Sequence, residues 1–138
     1  MAAFDDLFHS KTVRVLQSLM ENEVVVILAL HMELKSQGAE RVLLDKTHNR
    51  VHTLFSRMQQ TTLTSSVFRE IVKRMQAFGL LNLQIENKIV DNVFLQLNVF
   101  DDELVSGFID KQQAIDIAQM YEPLKEAFDN MIEARRVD

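Results

Sequence analysis

The chain has 138 residues, 47% of them apolar and 25% charged, with a formal net charge of −5. That length fits one domain, or one domain with an appendage, and three Gly and one Pro leave little material for the turns of a sandwich or barrel, so a mainly helical fold is predicted. The absence of Cys removes disulfides, thiolate metal sites and Cys nucleophiles, and no apolar run reaches the roughly 18 residues of a membrane span. No basic region followed by an apolar stretch opens the chain, so no secretory leader is expected.

Residues 4–20 read as a helix, with Phe4, Leu7, Phe8, Leu16, Leu19 and Met20 as an imperfect apolar face. A second segment starts at Glu21 or Asn22. Its run Val24 to Leu30 is apolar all round, and the β-branched residues alone would suggest a strand. Its length and its end at Gln37-Gly38 favour a fully buried helix. Arg41 to Leu44 is a short strand, and Asp45 is the expected N-cap of the next helix. Val51, Leu54, Phe55 and Met58 recur on one face of that helix. Gln59 to Leu63 is a polar connection anchored by Leu63.

Thr64, Ser65 and Ser66 compete for the following N-cap. Phe68, Ile71, Val72, Met75 and Phe78 make the cleanest amphipathic stripe in the chain, and Gly79 sits where a left-handed residue ends a helix. The period then changes to two. Leu81, Leu83 and Ile85 alternate with polar residues, as do Val93, Leu95, Leu97 and Val99. These are two strands, each with one buried face, joined through Asn87 to Asn92. Asp101, Asp102 and Glu103 open a short helix reaching Phe108, where their charge suits the helix dipole. Ala114, Ile115, Ala118, Tyr121, Leu124, Phe128, Met131 and Ile132 form a last stripe, which Pro123 divides into helices over about 111–121 and 122–135.

From residue 22 the order is helix, short strand, helix, helix, strand, strand, helix. Two helices joined closely and followed by a hairpin are the winged variant of helix-turn-helix. The fold predicted is therefore mainly α with a small antiparallel sheet, a winged helix-turn-helix over 22–108 with extra helices over 1–21 and 109–138. This order does not itself imply DNA binding.

Several segments within residues 22–108 together resemble the C-terminal winged-helix domain of the replication-initiator AAA+ family. They are Val24 to Leu34, Val42-Leu43-Leu44, the Phe68/Ile71/Val72/Met75 stripe ending in Phe78-Gly79-Leu80-Leu81, and Phe94 to Val99. The ending Leu97-Asn98-Val99, followed by a short helix with Leu104, is the most specific part. The family comprises archaeal initiators, the largest subunit of the eukaryotic origin recognition complex, and a related helicase-loading ATPase. The resemblance implies a larger ATPase ring, other replication-initiation subunits as partners, and a nuclear setting if the chain is eukaryotic, cytoplasmic otherwise. Two features depart from the family. No G-x-x-x-x-G-K-[ST] phosphate cradle is present. The hairpin tip Glu86 to Asn92 sets one Lys, Lys88, against Glu86 and Asp91, where archaeal relatives carry a longer basic wing.

Charge is unevenly placed. Residues 1–79 hold ten Lys/Arg and eight Asp/Glu, and residues 80–138 hold five and twelve. Any DNA contact is expected before Gly79, with the acidic remainder facing solvent or a basic partner. Ser66, Arg69, Lys73, Arg74 and Gln76 form a basic outer face on the second helix of the motif, the position of a recognition helix in the major groove. Lys46, Arg50 and Arg57 decorate the preceding helix, which would cross the DNA backbone. A solvated face, with Glu70 pairing Lys73 or Arg74, is the plain alternative.

His48 and His52 have metal-ligand spacing but no third ligand, so a surface or backbone-contacting pair is expected and no metal or other cofactor. Asp5/Asp6 and Asp101/Asp102 fall at expected helix starts, and no nucleophile-elbow motif surrounds a Ser. No enzyme activity is expected. Two functions remain open. One is a non-catalytic domain that binds duplex DNA weakly and mostly non-specifically in origin binding or helicase loading. The other is a protein-interaction winged helix that contacts no DNA. No membrane partner is expected.

Overall fold

A computed structural model describes residues 10–86 and 93–137. The described residues contain helices α1 (Lys11–Gln17), α2 (Glu21–Gln37), α3 (Leu44–Arg57), α4 (Ser65–Ala77), α5 (Asp101–Phe108), α6 (Gln112–Ala118) and α7 (Glu122–Val137). Strands β1 (Val42–Leu43), β2 (Leu81–Ile85) and β3 (Val93–Leu97) complete the set. The fold is mainly helical with a small antiparallel sheet. The chain divides into two compact units, one of residues 25–98 and one made from the segments before 25 and after 98.

In the unit of residues 25–98, α2 resolves the competition between propensity and length in favour of helix. Its residues Val25 to Met32 are all buried, as an all-round apolar helix requires. The three strands lie in the order β1-β3-β2 and all neighbours are antiparallel. Val42 pairs with Leu95, Leu83 with Leu95 from the other side, and Ile85 with Val93. This register gathers Leu81, Leu83, Ile85, Val93 and Leu95 on one face, because side chains alternate along a strand. α3 packs on β1 and β3, and α4 packs on β2. The opposite face is polar, with Asn82 donating to Asn98 Oδ1 at 3.3 Å and Gln84 to Gln96 Oε1 at 3.4 Å. Helix, strand, two helices and a hairpin thus form the winged-helix-like arrangement.

The start of α3 corrects one expectation. Asp45 is not the N-cap. The helix begins at Leu44, and extended Leu43 serves as N-cap without a side-chain bond, because β1 passes directly into the helix. Asp45 lies in the first turn, where its charge still meets the dipole. Val51, Leu54 and Phe55 are buried as expected, while Met58 is the C-cap. Gln59 takes φ 57°, and Gln60 N–H donates to Phe55 O at 2.9 Å, a left-handed helix end without glycine.

Thr64 takes the cap of α4, its Oγ1 accepting from Val67 N–H at 3.2 Å. Gly79 closes that helix with φ 79°, and Leu80 N–H returns to Met75 O at 3.0 Å. Phe68, Ile71, Val72 and Met75 are buried, but Phe78 is 45% exposed because the helix stops at Ala77 and Phe78 is its C-cap.

In the other unit, Ser10 caps α1, and Val13, Leu16 and Leu19 are buried. The expected helix over 4–20 is shorter within the described residues. Residues 4–9 lie outside them, Ser18 ends the helix, and Met20 is exposed. Glu103 Oε1 accepts from Phe100 N–H at 3.0 Å and fixes the start of α5, whose residues Leu104 to Phe108 are buried. α1 and α5 touch at Gly107, where a Cβ would stand 2.5 Å from Leu16 Cβ. Lys111 Nζ donates to Leu19 O at 2.9 Å. α7 packs on α5 and α6 through buried Leu124 and Phe128, with Pro123 in its first turn. Ile117 takes the buried position of α6 that the sequence assigned to Ile115, which is half-buried.

Candidate nucleic-acid interface

The cap at Thr64 and the stop at Gly79 give α4 fixed ends, and its apolar stripe fixes which side faces inward. Ser66, Arg69, Lys73 and Gln76 then fall on the outer side, at spacings of three, four and three, and all four are exposed. Arg74 is also exposed, with Glu70, on the other flank of the same helix. Among the described residues, neither Arg69 nor Lys73 makes an ion pair.

α3 is divided in its roles. Lys46 and Arg57 are exposed. Arg50 is half-buried and donates from Nε to Glu33 Oε1 at 2.9 Å, and Glu33 Oε2 accepts from Gln37 at 2.9 Å. That guanidinium is engaged in holding α3 to α2 rather than held out in solvent.

His48 and His52 brace the turn between the two helices. His48 stacks on Phe68, with ring centroids 4.5 Å apart and planes 7° from parallel, and its Nε2 lies 3.2 Å from Leu63 O. His52 Nδ1 lies 2.8 Å from Thr62 Oγ1, and the two imidazoles are 4.4 Å apart. The i, i+4 spacing therefore serves a structural bridge from α3 to the connection before α4.

The hairpin end carries a residue that sequence reasoning passed over. Arg41 lies over the Phe94 ring, 4.2 Å from its centroid, and reaches Glu86 Oε2 at 3.2 Å and Gln84 Oε1 at 3.4 Å. It spans the central strand and offsets the charge of Glu86. No spacing rule links residues 45 positions apart, so only the sheet order reveals the pair. Lys88 and the tip from Asn87 to Asn92 lie outside the described residues.

Beside the basic side of α4 the sheet is left partly uncovered. A groove of about 520 Å³ opens between α4 and the hairpin. Leu44, Val72, Leu83 and Val93 form its apolar floor, Arg69 and Lys73 its rim, and Ile85 is 59% exposed at its mouth. The alternation of β2 had placed Ile85 on a buried face. The strand continues past the helix that covers Leu81, which strand periodicity alone does not register.

The division into units sharpens the charge asymmetry. Residues 25–98 hold nine Lys/Arg and six Asp/Glu, net +3, whereas the rest holds six and fourteen, net −8. No helix among the described residues is long and apolar enough to cross a membrane.

No family model and no curated protein sequence matches the chain. Among solved structures it is similar to a chain in the structure of Drosophila ORC bound to DNA, with a TM-score of 0.65 at 16% sequence identity. The match covers 75% of this chain and 26% of that one. The likeness is one of fold.

Proposed function

We propose that this chain is a non-catalytic DNA-binding winged-helix domain of a DNA replication initiator, contributing to origin binding or helicase loading. The observation that carries this reading is the exposed row Ser66, Arg69, Lys73 and Gln76 on α4, the second helix of the motif, in the unit with net positive charge. The likeness in fold to a chain of an ORC–DNA complex supports it. In a helix-turn-helix the second helix enters the major groove while the first crosses the backbone. Here Lys46 and Arg57 on α3, with Arg74 on the flank of α4, would meet phosphates. Arg50 would act through the ion pair that fixes α3.

So few cations give weak, mostly sequence-independent and salt-sensitive binding. Further affinity in the cell would come from other replication-initiation subunits, in the nucleus if the chain is eukaryotic and in the cytoplasm otherwise. A duplex titration at two salt concentrations tests the reading. Native protein binds with a negative salt slope. Changing Arg69 and Lys73 together to Ala weakens binding and flattens that slope by about one to two units. Binding that is absent in low salt, or unchanged in the double variant, overturns it.

A further inference from the structure

We propose that the groove between α4 and the β-hairpin docks a segment of a partner protein in which apolar side chains are flanked by Asp or Glu. The groove has two chemistries side by side. Its floor of Leu44, Val72, Leu83 and Val93, with Ile85 at the mouth, offers apolar surface, and its rim offers two cations, Arg69 and Lys73, that make no ion pair among the described residues. A polyanionic backbone alone would use the rim and gain nothing from the floor, because phosphate contacts are charge contacts. A neutral apolar peptide would use the floor and leave the cations idle. A segment carrying both kinds of group satisfies both.

The size agrees. A cleft of 520 Å³ accommodates a few side chains, the scale on which peptide anchors bind. Because Arg69 and Lys73 belong to both the rim and the outer row of α4, such a segment and duplex DNA exclude one another. The groove would then couple partner binding to release of DNA from α4.

The test uses the whole chain and a short fluorescent peptide alternating Leu and Phe with Asp. A control peptide replaces every Leu and Phe with Ser and keeps the charge. The apolar-acidic peptide is expected to bind at least about tenfold more tightly than the control, the scale of one or two buried side chains. Ile85→Ser and Ile85→Gln, both uncharged changes at an exposed position, are expected to weaken it about tenfold while duplex affinity stays within about twofold. Changing Arg69 and Lys73 to Ala weakens both ligands, and excess duplex displaces the peptide. Equal binding of the two peptides overturns the proposal, as does unchanged binding in both Ile85 variants. So does movement of the Leu83, Ile85 and Val93 amide signals with duplex but not with peptide. If peptide binds as described and duplex does not bind at all, the groove stands and the DNA reading falls.

Discussion

Residues 25–98 set α3 and α4 against one face of a three-stranded sheet and leave the cationic side of α4 and an apolar groove in solvent. The segments before 25 and after 98 are helical among the described residues, bury Leu104 to Phe108 of α5 completely, and carry the acidic excess. The first unit sets its exposed cations beside an apolar groove, whereas the second sets its exposed apolar residues Met20 and Phe100 among an acidic excess. The difference shows why a whole-chain charge of −5 is a poor guide to partners. Attraction for a ligand is set within roughly a Debye length of the surface it meets, so the local +3 of one unit matters more than the sum.

Perturbing each unit in turn sharpens or breaks this contrast. The largest effect is expected from Ile71→Ala in the core beneath α4. Ile71 is 4% exposed, and the change should cost about 2–5 kcal/mol in denaturant unfolding. A cost below about 1 kcal/mol would mean that α4 is not held by its apolar stripe, and the outer row would lose its fixed orientation. In the other unit, Gly107→Ala forces a methyl group against Leu16 and should cost about 1–3 kcal/mol. Its duplex affinity, measured below the melting transition, should remain native. A loss of binding without a loss of stability would mean that the acidic unit takes part in DNA contact.

Arg50→Ala probes the border between fold and function. It leaves Glu33 without its cation, so a cost of about 1–2 kcal/mol with an unchanged salt slope is expected. A flattened slope with full stability would make Arg50 a phosphate contact instead. The smallest effect belongs to Gln59→Gly at the end of α3. Relief of the left-handed backbone should raise stability by a few tenths to about 1 kcal/mol, read as a higher denaturant midpoint at constant slope.

Sequence periodicity alone determined the elements that depend on neighbours along the chain. Phe68, Ile71, Val72 and Met75 marked α4, Gly79 marked its end, and the shift to period two marked the hairpin, because helix faces, strand faces and left-handed stops are local consequences of backbone geometry. The outward row of Arg69 and Lys73 followed from the same arithmetic. Length decided helix over strand for Val24 to Leu30, where propensity pointed the other way.

Other features depended on residues far apart in the chain. Only the sheet order brings Arg41 to Glu86, and only the crossing of α1 and α5 gives Gly107 its role. Leu43 displaced Asp45 as N-cap because the strand runs straight into the helix. Arg50 is engaged because α2 places Glu33 within 2.9 Å, and Ile85 is exposed because β2 outruns the helix that covers it. A pattern along the chain records which face is apolar. Whether that face is covered depends on where another element ends, and tertiary packing alone decides that.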